Sequence, residues 1–126
     1  MNSREKILTL ENLLGRVAEA RASGRRIILA AGRCDLISPE TIEALQSARE
    51  GNSLIVAAVA PDSPVGPSLL VAEARAQLAA ALATVDFVVI GVAEAIGQVL
   101  RPDQRLDLPA DLAPKLIERF RLERRE

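Results

Sequence analysis

The sequence predicts an α/β fold in which helices cover both faces of a mostly parallel sheet of about four or five strands. Three observations lead there. Residues 27–31 (IILAA) and 54–60 (LIVAAVA) are short runs without a polar side chain, as expected of strands buried on both faces. Segments with apolar residues at helical spacing alternate with these runs along the chain. The intervals also suit right-handed crossovers between parallel neighbours. The pattern does not dictate the order of the strands.

Taken in order, Thr9 is the expected N-cap of a first helix, with Leu10, Leu13, Leu14, Val17 and Ala18 on its apolar side and Ser23-Gly24 ending it. Arg25-Arg26 lead into the first strand at residues 27–31, where they are expected to keep its start solvated. Ser38-Pro39-Glu40 opens a second helix: a hydroxyl cap, a proline at the first helical position and an acid in the first turn. Ile42, Leu45 and Ala48 follow its inner face, and Gly51-Asn52 stops it. Residues 54–60 form the second strand, and three prolines within residues 61–67 make a loop. An Ala-rich helix is expected over 70–83, with Val71, Ala74, Leu78 and Leu82 inward. A third strand is expected at 85–90, a short helix at 93–100 ahead of Pro102, and a weak edge strand at 104–108. A last helix over about 111–125 carries Leu112, Leu116, Ile117 and Phe120 on one side. No internal repeat or domain boundary is visible, so residues 1–126 read as one domain with a Rossmann-like, three-layer α/β/α architecture.

Composition narrows the functions. The chain has 126 residues, 49% of them hydrophobic but only 2% aromatic, so its core must be aliphatic. A net charge of −1, from 16 basic and 17 acidic residues, offers no broad attraction for nucleic acid or an anionic membrane. The single cysteine, Cys34, rules out an internal disulfide and any Cys-rich metal site. Histidine is absent altogether, and with it the commonest general base and zinc ligand. The N-terminal residues mix acid and base with no apolar run behind them, unlike a signal peptide, and no apolar run approaches the ~20 residues of a membrane span. A soluble, cytoplasmic chain is the expectation.

Read residue by residue, the chemistry is sparse. Gly32 and Asp35 lie in the first strand-to-helix turn, where α/β folds usually hold ligands. Asp35 there reads either as a phosphate-orienting or Mg²⁺-binding group or as a turn residue. Ser38 is well explained as a cap; no imidazole exists to activate it as a nucleophile, and Lys6 and Lys115 are the only lysines. Cys34 next to Arg33 reads as a structural thiol. Arg75 is the only basic residue between Glu50 and Leu100, which makes it the strongest candidate for ligand contact; the competing reading is a surface ion pair with Glu73 or another acid. The charged tail residues 118–126 alternate in sign and read as a solvated helix face.

Taken together, residues 6–11 (KILTLE), Gly32 with Asp35-Leu36, residues 44–49 (ALQSAR), residues 85–90 (VDFVVI) and Arg101-Pro102-Asp103 resemble the cytidylyltransferase-like nucleotidyltransferases. The likeness spans roughly residues 6–103 and is nearest to the branch that adenylylates heptose 1-phosphate in ADP-heptose synthesis. Glu73 and Arg75 fall where that branch has a Glu and an Arg ahead of its Ala-Leu-rich helix. The resemblance implies a nucleotide site that includes Gly32, Asp35, Ser38, Thr41 and Arg75, a nucleoside triphosphate with Mg²⁺ as cofactor if activity remains, and a homodimer. It implies neither nucleic-acid nor membrane partners.

The departures from that pattern are chemical. The family's His-x-Gly-His motif reads Ser38-Pro39-Glu40-Thr41 here. Nucleotidyl transfer is catalysed largely by positioning and by cations aimed at charge developing on phosphate, and both imidazoles are missing. The family's basic loop after its second strand is replaced by residues 63–68 (SPVGPS), and its Lys-Gly-Gly-Asp segment by residues 105–109 (RLDLP). Asp111 is expected to cap the last helix, placing a carboxylate where an anion would otherwise dock. The expected function is therefore a degenerate nucleotidyltransferase-like domain with a binding or assembly role. The alternatives are a divergent transferase using Asp35, Arg75 and Mg²⁺, and a structural module docking through Leu10/Leu13/Leu14 and Leu116/Phe120.

Overall fold

A computed structural model describes residues 3–32, 34, 38–62 and 70–108. The chain begins with a 3₁₀ turn, Ser3–Lys6, and continues as α1 (Leu10–Ala22), β1 (Arg26–Gly32), α2 (Pro39–Ala48), β2 (Ser53–Val59), α3 (Ala72–Ala80), β3 (Phe87–Ile90), α4 (Ala93–Leu100) and β4 (Gln104–Asp107). The four strands form one parallel sheet in the order β3-β2-β1-β4. Leu29 lies between Val56 and Arg105, and Val56 in turn neighbours Phe87. Outside β3, among the described residues, lies a parallel bridge from Ile7 to Val88, in which the Leu8 amide donates to the Val88 carbonyl at 2.8 Å. The Rossmann-like α/β/α arrangement expected from the sequence is present.

Two-residue alternation along the central strands builds two cores. Ile27, Leu29, Leu54, Val56 and Ala58 face α1 and α4, meeting Leu13, Val17, Ile96 and Leu100. Ile28, Ala30, Ile55, Ala57 and Val59 face α2 and α3, meeting Leu45, Ala76, Ala79 and Ala80. Each fully buried Leu, Ile or Val contributes about 1.5–3 kcal/mol of transfer free energy. Leu13 is completely buried, and Leu10 and Leu14 pack partly buried against the same core. These three leucines are thus core residues of α1 and not the docking surface of the structural-module alternative; its other half, Leu116 and Phe120, lies outside the described residues, as does the expected helix over 111–125.

The expected caps form. Thr9 Oγ1 accepts from the Asn12 amide at 3.3 Å, and Ser38 Oγ from the Thr41 amide at 3.3 Å. At the far end of α1, Gly24 adopts φ of 80°, a left-handed conformation that closes the helix, with the Arg25 amide returning to the Ala20 carbonyl at 3.0 Å. Arg25 does more than solvate β1: its guanidinium donates to the carbonyls of Asn52 and Ser53, tying the start of β1 to β2. Arg21 of α1 reaches the end of α4, where Nη2 donates to the carbonyls of Leu100 (2.7 Å) and Arg101. That guanidinium satisfies carbonyls a helix leaves without internal partners and opposes its negative end. Arg21→Ala is expected to cost about 1–2 kcal/mol, read as a lower denaturation midpoint with an unchanged slope; an unchanged midpoint would mean water replaces the contact fully.

α3 differs from its sequence reading. The expected inward stripe is met only in part: Leu82 packs half-buried against the core and Ala74 is half-buried, but Val71 is 62% and Leu78 38% exposed, while Ala72, Ala76, Ala79 and Ala80 are buried. The reason is close packing. The sheet surface beneath α3 is itself small-to-medium (Ala57, Val59, Val88), and a helix can approach it closely only through an alanine face. That same face buries Arg75, which is 1% exposed. The ion-pair reading of Arg75 is met by Asp62 and not by Glu73, with the guanidinium buried and the Asp62 carboxylate at the surface, as described below.

Candidate cleft at the carboxyl ends of the strands

The strand order places a topological switch between β1 and β4. The chain leaves β1 for β2 and β3 on one side, then crosses back to β4 on the other. The helix after β1, α2, packs on one face, and the helix before β4, α4, on the opposite one. A crevice must open between them at the carboxyl ends, which is where open α/β sheets hold ligands. A cleft of about 390 Å³ lies there. Its floor is Ala31, Gly32, Ala58, Ala60, Gly91 and Ala93, residues with a methyl or less beyond the backbone.

At the rim the side chains become charged. Glu94, in the first turn of α4, and Asp107, at the end of β4, both line the cleft. Arg105 links them, with Nη2 donating to Glu94 Oε1 at 3.0 Å and Nε to Asp107 Oδ1 at 3.1 Å. The hydrogen bond from Arg105, aided by Glu94's own backbone N–H, holds the Glu94 carboxyl below its ordinary value. The two carboxylates in turn raise the Arg105 guanidinium. A depressed carboxyl stabilises the fold above its unfolded-state pKa, and that contribution is lost as pH falls through the folded-state value. The Glu94 midpoint, followed by carboxyl NMR, is therefore expected below the usual glutamate range and to rise in Arg105→Ala; equal midpoints would remove the pairing from the account.

Of the sequence-derived candidates, Gly32 lines the cleft, and its lack of a side chain has an internal cause. A Cβ there would sit 3.0 Å from Leu108 Cδ1 and 3.1 Å from Leu108 Cβ. Leu108 is fixed over the strand end by its amide, which donates to the Ala31 carbonyl at 2.9 Å. Asp35 lies outside the described residues. Ser38 and Thr41 are spent on the start of α2, their hydroxyl oxygens 3.2 Å apart, and Thr41 is buried. Cys34 is buried in the α2/α3 core with φ of 61°, the left-handed region that ordinarily favours glycine.

Arg75 stands apart from the described lining of the cleft. Its Nε donates to the Leu70 carbonyl at 3.1 Å and its Nη2 to Asp62 Oδ1 at 3.2 Å. The same Asp62 oxygen accepts from the Ala72 amide at 2.8 Å and so caps α3, whose own N-cap residue, Val71, has no side chain to do so. Asp62 was not singled out in the sequence, because it caps a helix beginning ten residues later across a proline-rich loop. Glu94, Arg105 and Asp107 were missed as a group for a similar reason: a helix start and an edge strand meet only once the sheet has formed.

The arrangement accommodates a small molecule against an apolar floor under a carboxylate-rich rim. The described lining carries no cation aimed inward, and no imidazole exists in the chain. Among the described residues no group of three or more acids or thiols gathers where it could hold a metal ion. No helix among the described residues is long and apolar enough to cross a membrane.

The sequence matches no protein-family model and no curated protein. Among solved structures, the fold is similar to the lipopolysaccharide core biosynthesis protein from Thermoplasma volcanium GSS1, with a TM-score of 0.57 and 15% sequence identity over 68% of this chain and 98% of that one. At that identity the likeness is one of fold.

Proposed function

We propose that this chain is a nucleotidyltransferase-like domain that does not transfer nucleotidyl groups, and that its remaining role is nucleotide binding or assembly. The observation that carries the reading is the cleft's charge. Transfer from a nucleoside triphosphate needs positive groups around the phosphates and the departing pyrophosphate. At the place where this fold would hold them, the charged lining residues among those described are Glu94 and Asp107. On either side of the first strand-to-helix turn, Gly32 is covered by Leu108 and the Ser38 hydroxyl is engaged in capping α2. The neighbour's printed role in lipopolysaccharide core biosynthesis accords with the sugar-phosphate-activating branch that the sequence resembles, and the likeness itself is one of fold.

The assembly role draws on exposed apolar side chains at two helices, Leu78 on α3 with its N-cap residue Val71, and Val99 on α4 with its N-cap residue Val92. The test of the main reading is incubation with ATP or CTP, Mg²⁺ and a sugar 1-phosphate. No pyrophosphate above the protein-free rate is expected. Release that scales with protein concentration would overturn the proposal.

A further inference from the structure

Two glycines, Gly32 and Gly91, lie in the cleft floor, one at the end of β1 and one just after β3. A glycine in such a floor ordinarily lets a ligand come close to the backbone. In this chain the space above each is claimed from within. A Cβ on Gly91 would lie 2.9 Å from Ile96 Cδ1, and one on Gly32 would lie 3.0 Å from Leu108 Cδ1 and 3.1 Å from Leu108 Cβ. The two occupants differ in their setting. Ile96 is 3% exposed, a core residue of α4. Leu108 is half-buried and itself lines the cleft. The backbone around it is tied down: the Gly32 carbonyl accepts from the Ala60 amide at 3.2 Å, the Gly91 amide donates to the Val59 carbonyl at 3.0 Å, and the Leu108 amide donates to the Ala31 carbonyl at 2.9 Å. A floor fixed by such bonds does not deepen, so the Leu108 side chain beyond Cβ decides how much room lies over Gly32.

We infer that Leu108 is the specificity-determining residue of the cleft: it occupies, from within the chain, the place where a ligand would rest against Gly32, and its bulk sets the size of uncharged ring that the cleft admits. The inference rests on reading the cleft as a nucleotide-type site without transfer. The ligand class follows from the lining. Ala31, Ala58, Ala60 and Ala93 offer methyl groups to a flat apolar face, while Glu94 and Asp107 at the rim oppose an anion.

Adenosine is the probe, since it brings a flat base and no phosphate. It is titrated into isotope-labelled wild-type chain, Leu108→Ala, Leu108→Val and Leu108→Met, with the amide NMR signals of Gly32 and Gly91 as reporters. Leu108→Ala is expected to bind at least about tenfold more tightly than wild type, the low end of what a methylene or more in an apolar pocket decides. Leu108→Val is expected to gain less, and Leu108→Met, which keeps the volume, to gain nothing. Melting curves check that each variant is folded, and Leu108→Val carries the test if Leu108→Ala does not fold. Equal affinities for wild type and the smaller variants, including no measurable binding by any, would overturn the inference. So would a gain in Leu108→Met, or shifts that spare both glycines. Pyrophosphate release by the wild-type chain would instead overturn the proposed function, whatever these affinities are.

Discussion

Arg75→Ala is expected to lower stability by about 2–4 kcal/mol, the combined effect of a vacated buried volume and hydrogen-bond acceptors left without their charged donor. At roughly 3–5 °C per kcal/mol for a chain of this size, the melting midpoint should fall by about 10 °C. The argument rests on where the guanidinium sits. It is 1% exposed within the alanine face of α3, yet it reaches Asp62, the residue that also caps that helix, and the Leu70 carbonyl. Losing it therefore loosens the start of α3 and the approach to it at once. Arg75→Met restores most of the volume without the charge, and since Asp62 is 60% exposed and can be hydrated, about half of the loss should return. An Arg75→Ala chain as stable as wild type would show that the cluster is replaceable by water. If Arg75 instead contacts a ligand, its removal would abolish nucleotide-induced stabilisation at a melting point close to that of wild type.

The second large effect is expected at Asp86. This residue precedes β3, and its carboxylate Oδ2 accepts from the Ile55 amide at 2.9 Å while its own amide donates to the Ile55 carbonyl at 2.9 Å. Asp103, before β4, makes the same reciprocal pair with Ile27, at 2.8 and 2.9 Å. In each case a carboxylate substitutes for the backbone carbonyl that the incoming chain cannot yet supply, so each edge strand is clipped to a central one by the residue just before it begins. Removing the carboxylate leaves a strand amide unpaired in a buried setting, which costs about 1–3 kcal/mol. Asp86→Ala is expected in the upper half of that range because Arg49 also leans on this carboxylate, at 3.4 Å. Asp86→Asn keeps an acceptor oxygen and should lose less than about 1 kcal/mol. The two clips lie on opposite sides of the central strand pair, so Asp86→Ala and Asp103→Ala should add to within about 0.5 kcal/mol in the double variant. Strong non-additivity would reveal that the sheet end yields as one unit.

These clips also show how a sequence can carry a motif whose meaning is structural. Val85-Asp86 and Arg101-Pro102-Asp103 contributed to the family resemblance, and in the structure both aspartates hold strands together. Their partners lie 31 and 76 positions away, so no local pattern discloses the role. The strands themselves were legible because β1 and β2 are buried on both faces and so admit almost nothing polar. The start of α2 was legible because a hydroxyl, a proline and an acid have one sensible use in that order. The inner face of α3 was not, because in a helix made mostly of alanine the few large apolar residues suggest a phase that close packing then reverses. The cleft was legible only at Gly32. Its floor is assembled from the ends of separate strands by residues with no functional groups, and its rim forms from a helix start and an edge strand that become neighbours through the crossover.

The central claim, that the cleft does not carry out nucleotidyl transfer, is tested most directly by isotope exchange. Labelled pyrophosphate is supplied with ATP or CTP, Mg²⁺ and a sugar 1-phosphate, and incorporation of label into the nucleotide is followed at increasing protein concentration. The account predicts incorporation no faster than without protein. Incorporation that rises in proportion to protein would contradict it, because exchange requires the bond to the α-phosphate to be broken and remade at this site.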